Sequence, residues 1–194
     1  MGFSGSREAV ICGDGRTITF LDDAAELEQE LYSGQIRTDQ DLKRRALQLR
    51  ASLQVEDGKQ KVWKRGGILV GEVSETTTRS ERRRRVYLTP GAFLLADLMD
   101  GEMAEIGFGR VSAVVLGNRF TRGAAESAIR MAGGRIDADF LAGVMRGVAG
   151  RTASVSPDHV LLRSAEVERD PAKALHKALE EDCRERGWRL CAQQ

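Results

Sequence analysis

The sequence has few of the residues that most often carry metal or thiol chemistry. It contains three cysteines and two histidines, and none of them is spaced as a metal-ligand pair. The odd number of cysteines argues against a disulfide framework, so a reducing, cytoplasmic location is expected. We predict neither a metal site nor a cofactor. A thiol enzyme is a weaker alternative, because Cys12 falls in a core strand. Cys183 shares the inward face of the last helix with Leu175 and Leu179, although exposure near the chain end is the alternative for Cys183 and Cys191.

Long hydrophobic runs and an excess of charge of one sign are also missing. No apolar segment approaches the length of a membrane-spanning helix, and no basic-then-apolar secretory signal is visible at the start. The formal net charge is +1, so no overall field draws the chain to membranes or nucleic acids. Apolar residues still make up 41% of the 194 residues, which is enough for a packed core.

The first part of the chain has strand patterns followed by helix patterns. Alternation predicts strands over Glu8–Cys12 and Thr17–Leu21, joined as a hairpin by the turn Gly13-Asp14-Gly15. Asp22-Asp23 is a good helix N-cap, and Gly34 ends the helix that follows. A second helix is predicted from Thr38 or Asp39 to about Leu53, because leucine and alanine recur there at helical spacing.

The middle of the chain, from Lys59 to Leu116, is predicted to be an antiparallel meander. Its turns are expected at Gly66-Gly67, Pro90-Gly91 and Asp100-Gly101, and Pro followed by Gly favours a type II turn. A helix starting with Pro90 is the alternative at the second turn. The last strand of this region is predicted over Arg110–Leu116.

The remaining chain is mainly helical. Helices are predicted over Thr121–Ala132, Asp137–Val148 and Ala172–Arg186, and a strand is predicted around His159–Leu162. Asp170-Pro171 provides an N-cap and a proline at the first helical position of the last helix. Helices grouped around antiparallel strands indicate an α+β domain.

Several short segments, in order and at matching spacing, resemble the connectase family of methanogenic archaea, which belongs to the proteasome-like N-terminal-nucleophile (Ntn) hydrolases. These segments are AVICGD (9–14), ELYSGQIRTD (30–39), the lysine-containing strand (59–64), GEV (71–73), RRRVYLT (83–89) and LGNRFT (116–121). The resemblance implies a four-layer αββα sandwich of two antiparallel sheets between helices. It also implies one proteasome-like domain over residues 1–194, with a two-helix insertion at 22–56 between strands 2 and 3. The C-terminal domain of longer members is not expected.

The resemblance also implies a catalytic set. Asp14 would be the orienting carboxylate, Arg16 its structural partner, Lys61 the charge near the nucleophile, and Gly71 a backbone donor to the oxyanion. Considered from the residues alone, an aspartate in a Gly-Asp-Gly turn usually serves the turn. By the same reasoning Lys61 could be a strand-surface lysine, and Gly71 could be a close-packing glycine.

Two departures from the family pattern concern the nucleophile and its support. The pattern places the N-terminal Thr or Ser a few residues before Met1, so the chain beginning at Met1 is expected to lack it. Either a true Thr or Ser start lies upstream, or the fold has lost the chemistry. The pattern also has an aspartate where Thr152 stands, followed by a serine, for which Ser154 and Ser156 are candidates.

The function implied by the resemblance is sequence-specific cleavage and re-ligation of a peptide bond through an acyl-enzyme. The partner would be a protein or peptide substrate, and whether the chain assembles into a ring is open. One alternative is a catalytically silent proteasome-like binding or scaffold protein. A further alternative is nucleic-acid binding through Arg82–Arg85, the densest charge run. It is disfavoured because only alternate strand residues share a face and Glu81 interrupts the run.

Overall fold

The computed structural model describes residues 1–21, 24–77, 79–133 and 136–190. The first strands and helices are β1 (Gly2–Ser4), β2 (Ala9–Asp14), β3 (Thr17–Phe20), α1 (Ala25–Tyr32), α2 (Asp39–Leu49) and β4 (Leu53–Glu56). The middle strands are β5 (Val62–Arg65), β6 (Ile68–Thr76), β7 (Glu81–Thr89), β8 (Ala92–Met99), β9 (Glu102–Arg110) and β10 (Ser112–Val114). The last elements are α3 (Arg119–Met131), α4 (Ala138–Ala149), β11 (His159–Ser164) and α5 (Pro171–Arg186).

The chain divides into two compact units. The first, here called the sheet unit, comprises Met1–Ile11, Val62–Leu116 and Leu161–Gln194. The second, here called the helical unit, comprises Cys12–Lys61 and Gly117–Val160.

The sheet unit is built in layers around a five-stranded antiparallel meander in the order β5-β6-β7-β8-β9. A second sheet, in the order β10-β1-β2-β11, packs against one face through side chains that include Ile11, Leu69, Leu88 and Val114. The other face is covered by α5, whose Leu175 and other apolar residues join the core. Alternate strand residues face opposite sides, so one meander fills two cores. Antiparallel sheets with a covering helix confirm the α+β class.

The predicted antiparallel meander is confirmed for β5 to β9, and the residues at its turns explain how the strands are connected. Thr89 lies opposite Ala92, and Gly91 between them has a φ of 89°, as the third position of a type II turn requires. The helix considered at Pro90 does not form. Asp100 and Gly101 both have positive φ, at 53° and 78°, which fits the type I′ turns that match strand twist.

The predicted strand over Arg110–Leu116 is wrong in its extent and pairing. β9 ends at Arg110, and the separate strand β10 pairs with β1, with Val114 opposite Gly2. The side chain of Val114 is buried there against the other apolar residues of the sheet unit. Burial of this side chain explains why the chain leaves the meander for the other sheet.

The predicted first hairpin is also wrong, although both of its strands exist. β2 pairs with β1, with Gly2 opposite Ile11, whereas β3 pairs with β4 in a separate two-stranded sheet. The Asp14 carboxylate accepts the backbone N–H of Arg16 at 2.8 Å, and this local bond turns the chain out of the first sheet. The two-helix insertion lies between β3 and β4.

The helical unit contains α1 to α4, and α1 and α2 contribute Leu27, Leu31 and Leu42 to a small apolar core. The predicted second helix is too long. It begins as expected, with the Thr38 hydroxyl accepting from Asp41 N–H at 3.1 Å, but it ends at Leu49. Arg50 then adopts the left-handed conformation and Leu53 begins β4. The predicted cap Asp22-Asp23 lies outside the described residues, as does Gly134, beside the end of α3.

Candidate active site

Asp14 lies at the carboxyl end of β2, where its carboxylate organises the following turn. Its Oδ1 accepts the Arg16 N–H at 2.8 Å and the Ser156 N–H at 3.5 Å. The side chain is 16% exposed. The aspartate therefore stabilises the turn, as its sequence context predicts, and its carboxylate also contacts a charged side chain.

That group is Lys61, which immediately precedes β5. Its Nζ lies 3.3 Å from Asp14 Oδ1 and 3.5 Å from Asp14 Oδ2, and it also donates to the backbone carbonyl of Arg16. The Lys61 side chain is 22% exposed, so it is not a surface lysine of a strand. A carboxylate and a carbonyl thus hold one ammonium in a defined position. We call Asp14, Arg16 and Lys61 the Asp14–Lys61 cluster.

Arg16 anchors this cluster to the rest of the helical unit. Its guanidinium donates to Asp39 at 2.6 and 3.1 Å, to Asp57 at 2.9 Å through two nitrogens, and to the Ala153 carbonyl at 2.8 Å. These hydrogen bonds raise the pKa of Arg16 and hold the pKa of Asp57 below its ordinary value. The backbone carbonyl of Arg16, which accepts from Lys61, is fixed by these contacts.

A group of hydroxyls lies on the loop after α4. The Oγ atoms of Thr152 and Ser154 are 2.9 Å apart, and Ser154 N–H donates to Thr152 at 3.1 Å. Asn118, which caps α3, donates its side-chain amide to Ser154 Oγ at 3.1 Å. Thr152 is fully buried. The loop is tied to the Asp14–Lys61 cluster by Ser156 N–H and the Ala153 carbonyl.

The structure thus brings together Asp14, Arg16, Lys61, Thr152 and Ser154 within the helical unit. Sequence reasoning gave no site role to Asp39, Asp57 or Asn118. Asp39 enters only as a predicted helix start and as the last residue of the family-like segment 30–39, and Asp57 precedes Lys61 by four residues. A carboxylate close in sequence to a lysine is a weak signal by itself.

Gly71, the other predicted site residue, lies in β6 of the sheet unit, opposite Val62 and Val86. A Cβ at this position would stand 2.6 Å from Ile11 Cδ1. Close packing therefore also accounts for a glycine at this position. Its donation to an oxyanion stays a prediction.

The arginine run of β7 is neutralised by neighbouring carboxylates. Arg82 pairs with Asp97, Arg84 lies 3.6 Å from Glu75, and Arg85 is fully buried. The remaining ion pairs of the run join Arg83 to Glu72 and Glu81, and Arg85 to Glu72 and Asp182. Nucleic-acid binding through this run is disfavoured, because its cations already have anionic partners.

The two thiols in the described part of the chain, Cys12 and Cys183, are buried. Cys12 is buried, and burial raises the pKa of its thiol to about 11, so its nucleophilic thiolate is scarce. Cys183 is buried on the inner face of α5, as its helical spacing predicts, and Cys191 lies outside the described residues. Within the described ranges no group of three or more His, Cys, Asp or Glu side chains is arranged to hold a metal.

In the described part of the chain, no helix combines the length and apolar character needed to cross a membrane.

Comparison with known families identifies the domain. The family model described as "Connectase MJ0548-like, N-terminal domain" matches residues 1–184. This match confirms the resemblance inferred from the short sequence segments, and it covers the whole Asp14–Lys61 cluster. No curated protein matches the chain.

Proposed function

The chain belongs to the connectase N-terminal domain family, and on that premise we propose that it is the catalytic part of a sequence-specific protein ligase. The activity would be transpeptidation, in which a peptide bond is cut and a new one is made. The single observation that carries the proposal is the fixed Lys61 ammonium, held by the Asp14 carboxylate and the Arg16 carbonyl.

The nucleophile in this mechanism is the hydroxyl of a Thr or Ser at the start of the mature chain. Its free α-amine has an ordinary pKa of about 7.7–8.0 and can take the hydroxyl proton near neutral pH. A nearby ammonium favours the ionised hydroxyl and also the unprotonated amine, since both changes reduce positive charge around it. Lys61 is the proposed source of that charge.

The pairing of β1 defines a direction for such a start. Because β1 and β2 are antiparallel, with Gly2 opposite Ile11, a chain traced back from Gly2 runs in the direction in which β2 continues. Residues joined before Met1 in the same register would follow that direction. Gly2 and Phe3 themselves lie in β1.

The reaction would proceed in two balanced steps. The hydroxyl oxygen adds to the substrate carbonyl carbon, and the C–N bond breaks. The departing fragment receives the proton as its new amine, and an ester remains on the enzyme. A second amine then attacks the ester, expels the hydroxyl oxygen, and returns a proton to it. Exclusion of water would favour this amine over hydrolysis.

The proposal includes the family's four-layer αββα sandwich and a protein or peptide substrate. The two packed sheets and α5 of the sheet unit support the sandwich. Thr152 and Ser154 are proposed to support the α-amine through their hydroxyls, in place of the aspartate of the broader pattern. Gly71 remains the proposed oxyanion donor.

A peptide epoxyketone tests this mechanism, because it forms a ring with both the hydroxyl and the amine of an N-terminal Thr or Ser. We expect intact-mass analysis of the mature protein to show one adduct on its first residue. Lys61→Ala should slow labelling about 10²–10³-fold, and Lys61→Arg should restore part of the rate. Lys64→Ala, at an exposed position of β5, is the matched control. A folded protein that never forms the adduct would favour the silent scaffold alternative.

A further inference from the structure

The helical unit contains a groove of about 600 Å³ between α2 and β4. On the helix its lining residues include Asp39, Lys43 and Leu47, which are spaced to share one helical face. On the strand, Leu53 and Val55 are two residues apart and therefore lie on the same side, and Asp57 follows the strand. We call this cavity the α2–β4 groove.

The groove has one apolar end and one acidic end. Leu47 is 81% exposed and Val55 is 37% exposed, which is unusual for aliphatic side chains lining one concave surface. Asp39 and Asp57 stand at the other end, where both reach Arg16. A hydrophobic surface next to fixed carboxylates is typical of a site that fixes both the position and the orientation of its ligand.

The acidic end presents negative charge to the solvent. The side chains of Asp39 and Asp57 are 57% and 44% exposed, whereas the side chain of Arg16 is only 3% exposed. Two carboxylates share this one buried guanidinium, so a net negative charge remains. Lys43, with its side chain at the rim between the two ends, can donate to a carbonyl of a bound backbone.

The dimensions of the groove fit a short extended peptide. From Asp39 to Leu47 the helix rises by about 12 Å, at roughly 1.5 Å per residue. An extended chain covers that distance in about four residues, at about 3.3 Å each. Because alternate residues of an extended chain face the same side, an aliphatic side chain and a cationic side chain separated by three residues would reach the two ends together.

We propose that the α2–β4 groove binds the substrate protein as an extended segment, an inference that rests on the proposed function. Its aliphatic side chain would lie against Leu47 and its Lys or Arg side chain against Asp39 and Asp57. Arg16 links this subsite to the chemistry, because its guanidinium closes the acidic end while its carbonyl holds Lys61. The groove would thus contribute to the sequence specificity of the enzyme.

Titration with blocked pentapeptides, followed by backbone amide NMR shifts of the full chain, tests the subsite. The probes are acetyl-Leu-Ser-Ser-Ser-Lys-amide and acetyl-Lys-Ser-Ser-Ser-Leu-amide, which cover both chain directions. We expect at least one to give saturable shifts at α2 and β4, with a millimolar Kd. Probes with Glu for Lys, or Ser for Leu, should bind at least about fivefold more weakly. Absence of saturable shifts with both probes, or equal binding of the Glu probes, would overturn the proposal.

Substitutions then locate the binding. Leu47→Ser, at an exposed position, should weaken binding at least about fivefold without loss of fold. Met131→Ser, on α3 and also highly exposed at 78%, is the matched control and should leave binding unchanged. An equal Kd for wild type and Leu47→Ser would contradict the assigned location.

The outcome is separable from that of the proposed function, since binding needs no nucleophile. Peptide binding in the groove without any epoxyketone adduct would leave the subsite standing and remove the ligase mechanism. Adduct formation without groove binding would support the ligase mechanism and remove the proposed subsite.

Discussion

The Lys61 ammonium lies 3.3 Å from the Asp14 carboxylate, although 46 positions of sequence, including two helices, separate the two residues. The contact forms because the insertion returns to its starting point. Arg16 N–H and Lys59 N–H are both bonded at the turn after β2, the latter to the Gly15 carbonyl at 3.0 Å. The helical insertion is thus closed at its base beside the Asp14–Lys61 cluster.

Asp14→Asn is expected to slow epoxyketone labelling of the mature protein about 10- to 100-fold. The amide keeps the size and the turn hydrogen bond but no longer attracts the Lys61 ammonium, whose position becomes less defined. Rates from intact-mass time courses provide the measurement. Asp158→Asn, at an exposed position of the neighbouring loop, is the control, and equal rates for both variants would exclude the proposed role of Asp14.

Asp57→Asn is expected to lower the free energy of unfolding by about 1 kcal/mol at pH 7. The expected loss is this small because the side chain is 44% exposed and solvent screens its interaction with Arg16. The folded-state pKa of Asp57 is lowered by Arg16, so its contribution is present above the ordinary pKa and is lost as pH falls through the folded value. Urea unfolding should show the gap to wild type constant from pH 7 to 5 and shrinking below about pH 4. Glu28→Gln serves as the control. A gap that widens in acid would contradict this role.

The buried pair of Arg85 and Asp182 is expected to tolerate joint replacement better than loss of one partner. Arg85 is fully buried between Trp63 and Trp188, with its guanidinium carbon 4.9 and 4.5 Å from their ring centroids. Asp182→Ala should cost about 3–5 kcal/mol in chemical denaturation, since it removes one of the carboxylates that neutralise this buried cation. Arg85→Met with Asp182→Leu should recover most of that loss. A loss below about 1 kcal/mol for Asp182→Ala would show that the pair is unimportant.

Cys12 is expected to resist alkylation in the folded protein. Its pKa of about 11, against an ordinary 9.0, reduces the thiolate at pH 8 about 100-fold, and burial further limits access. Iodoacetamide labelling followed by peptide mass spectrometry compares native and urea-unfolded samples. Native labelling at the unfolded rate would contradict the burial of this strand.

Local patterns made much of the fold predictable. The meander turns at Pro90-Gly91 and Asp100-Gly101 follow from residues that tolerate or require particular φ values, and the N-cap Asp170 with Pro171 correctly marks α5. The separate partners of β2 and β3 were not predictable, because a Gly-Asp-Gly turn is equally suited to a hairpin and to a change of sheet. Which applies depends on the contacts of Asp14 with Arg16, Lys61 and Ser156.

The candidate site was only partly predictable for a similar reason. Asp14, Arg16 and Lys61 were found through family resemblance, since nothing in their local sequence separates them from turn or surface residues. Asp39 and Asp57 gain their role from Arg16, which they meet only after α1 and α2 have folded. Contacts of this kind leave no periodicity in the sequence.

The most direct test of the account is the identity of the first residue of the mature protein, produced from its native gene with the upstream DNA included. N-terminal sequencing and intact mass together provide it. The account predicts a Thr or Ser a few residues before Met1, which would supply both the hydroxyl and the free amine of the mechanism. A mature chain that begins at Met1 or Gly2 would contradict the nucleophile mechanism and leave a proteasome-like fold retained for binding.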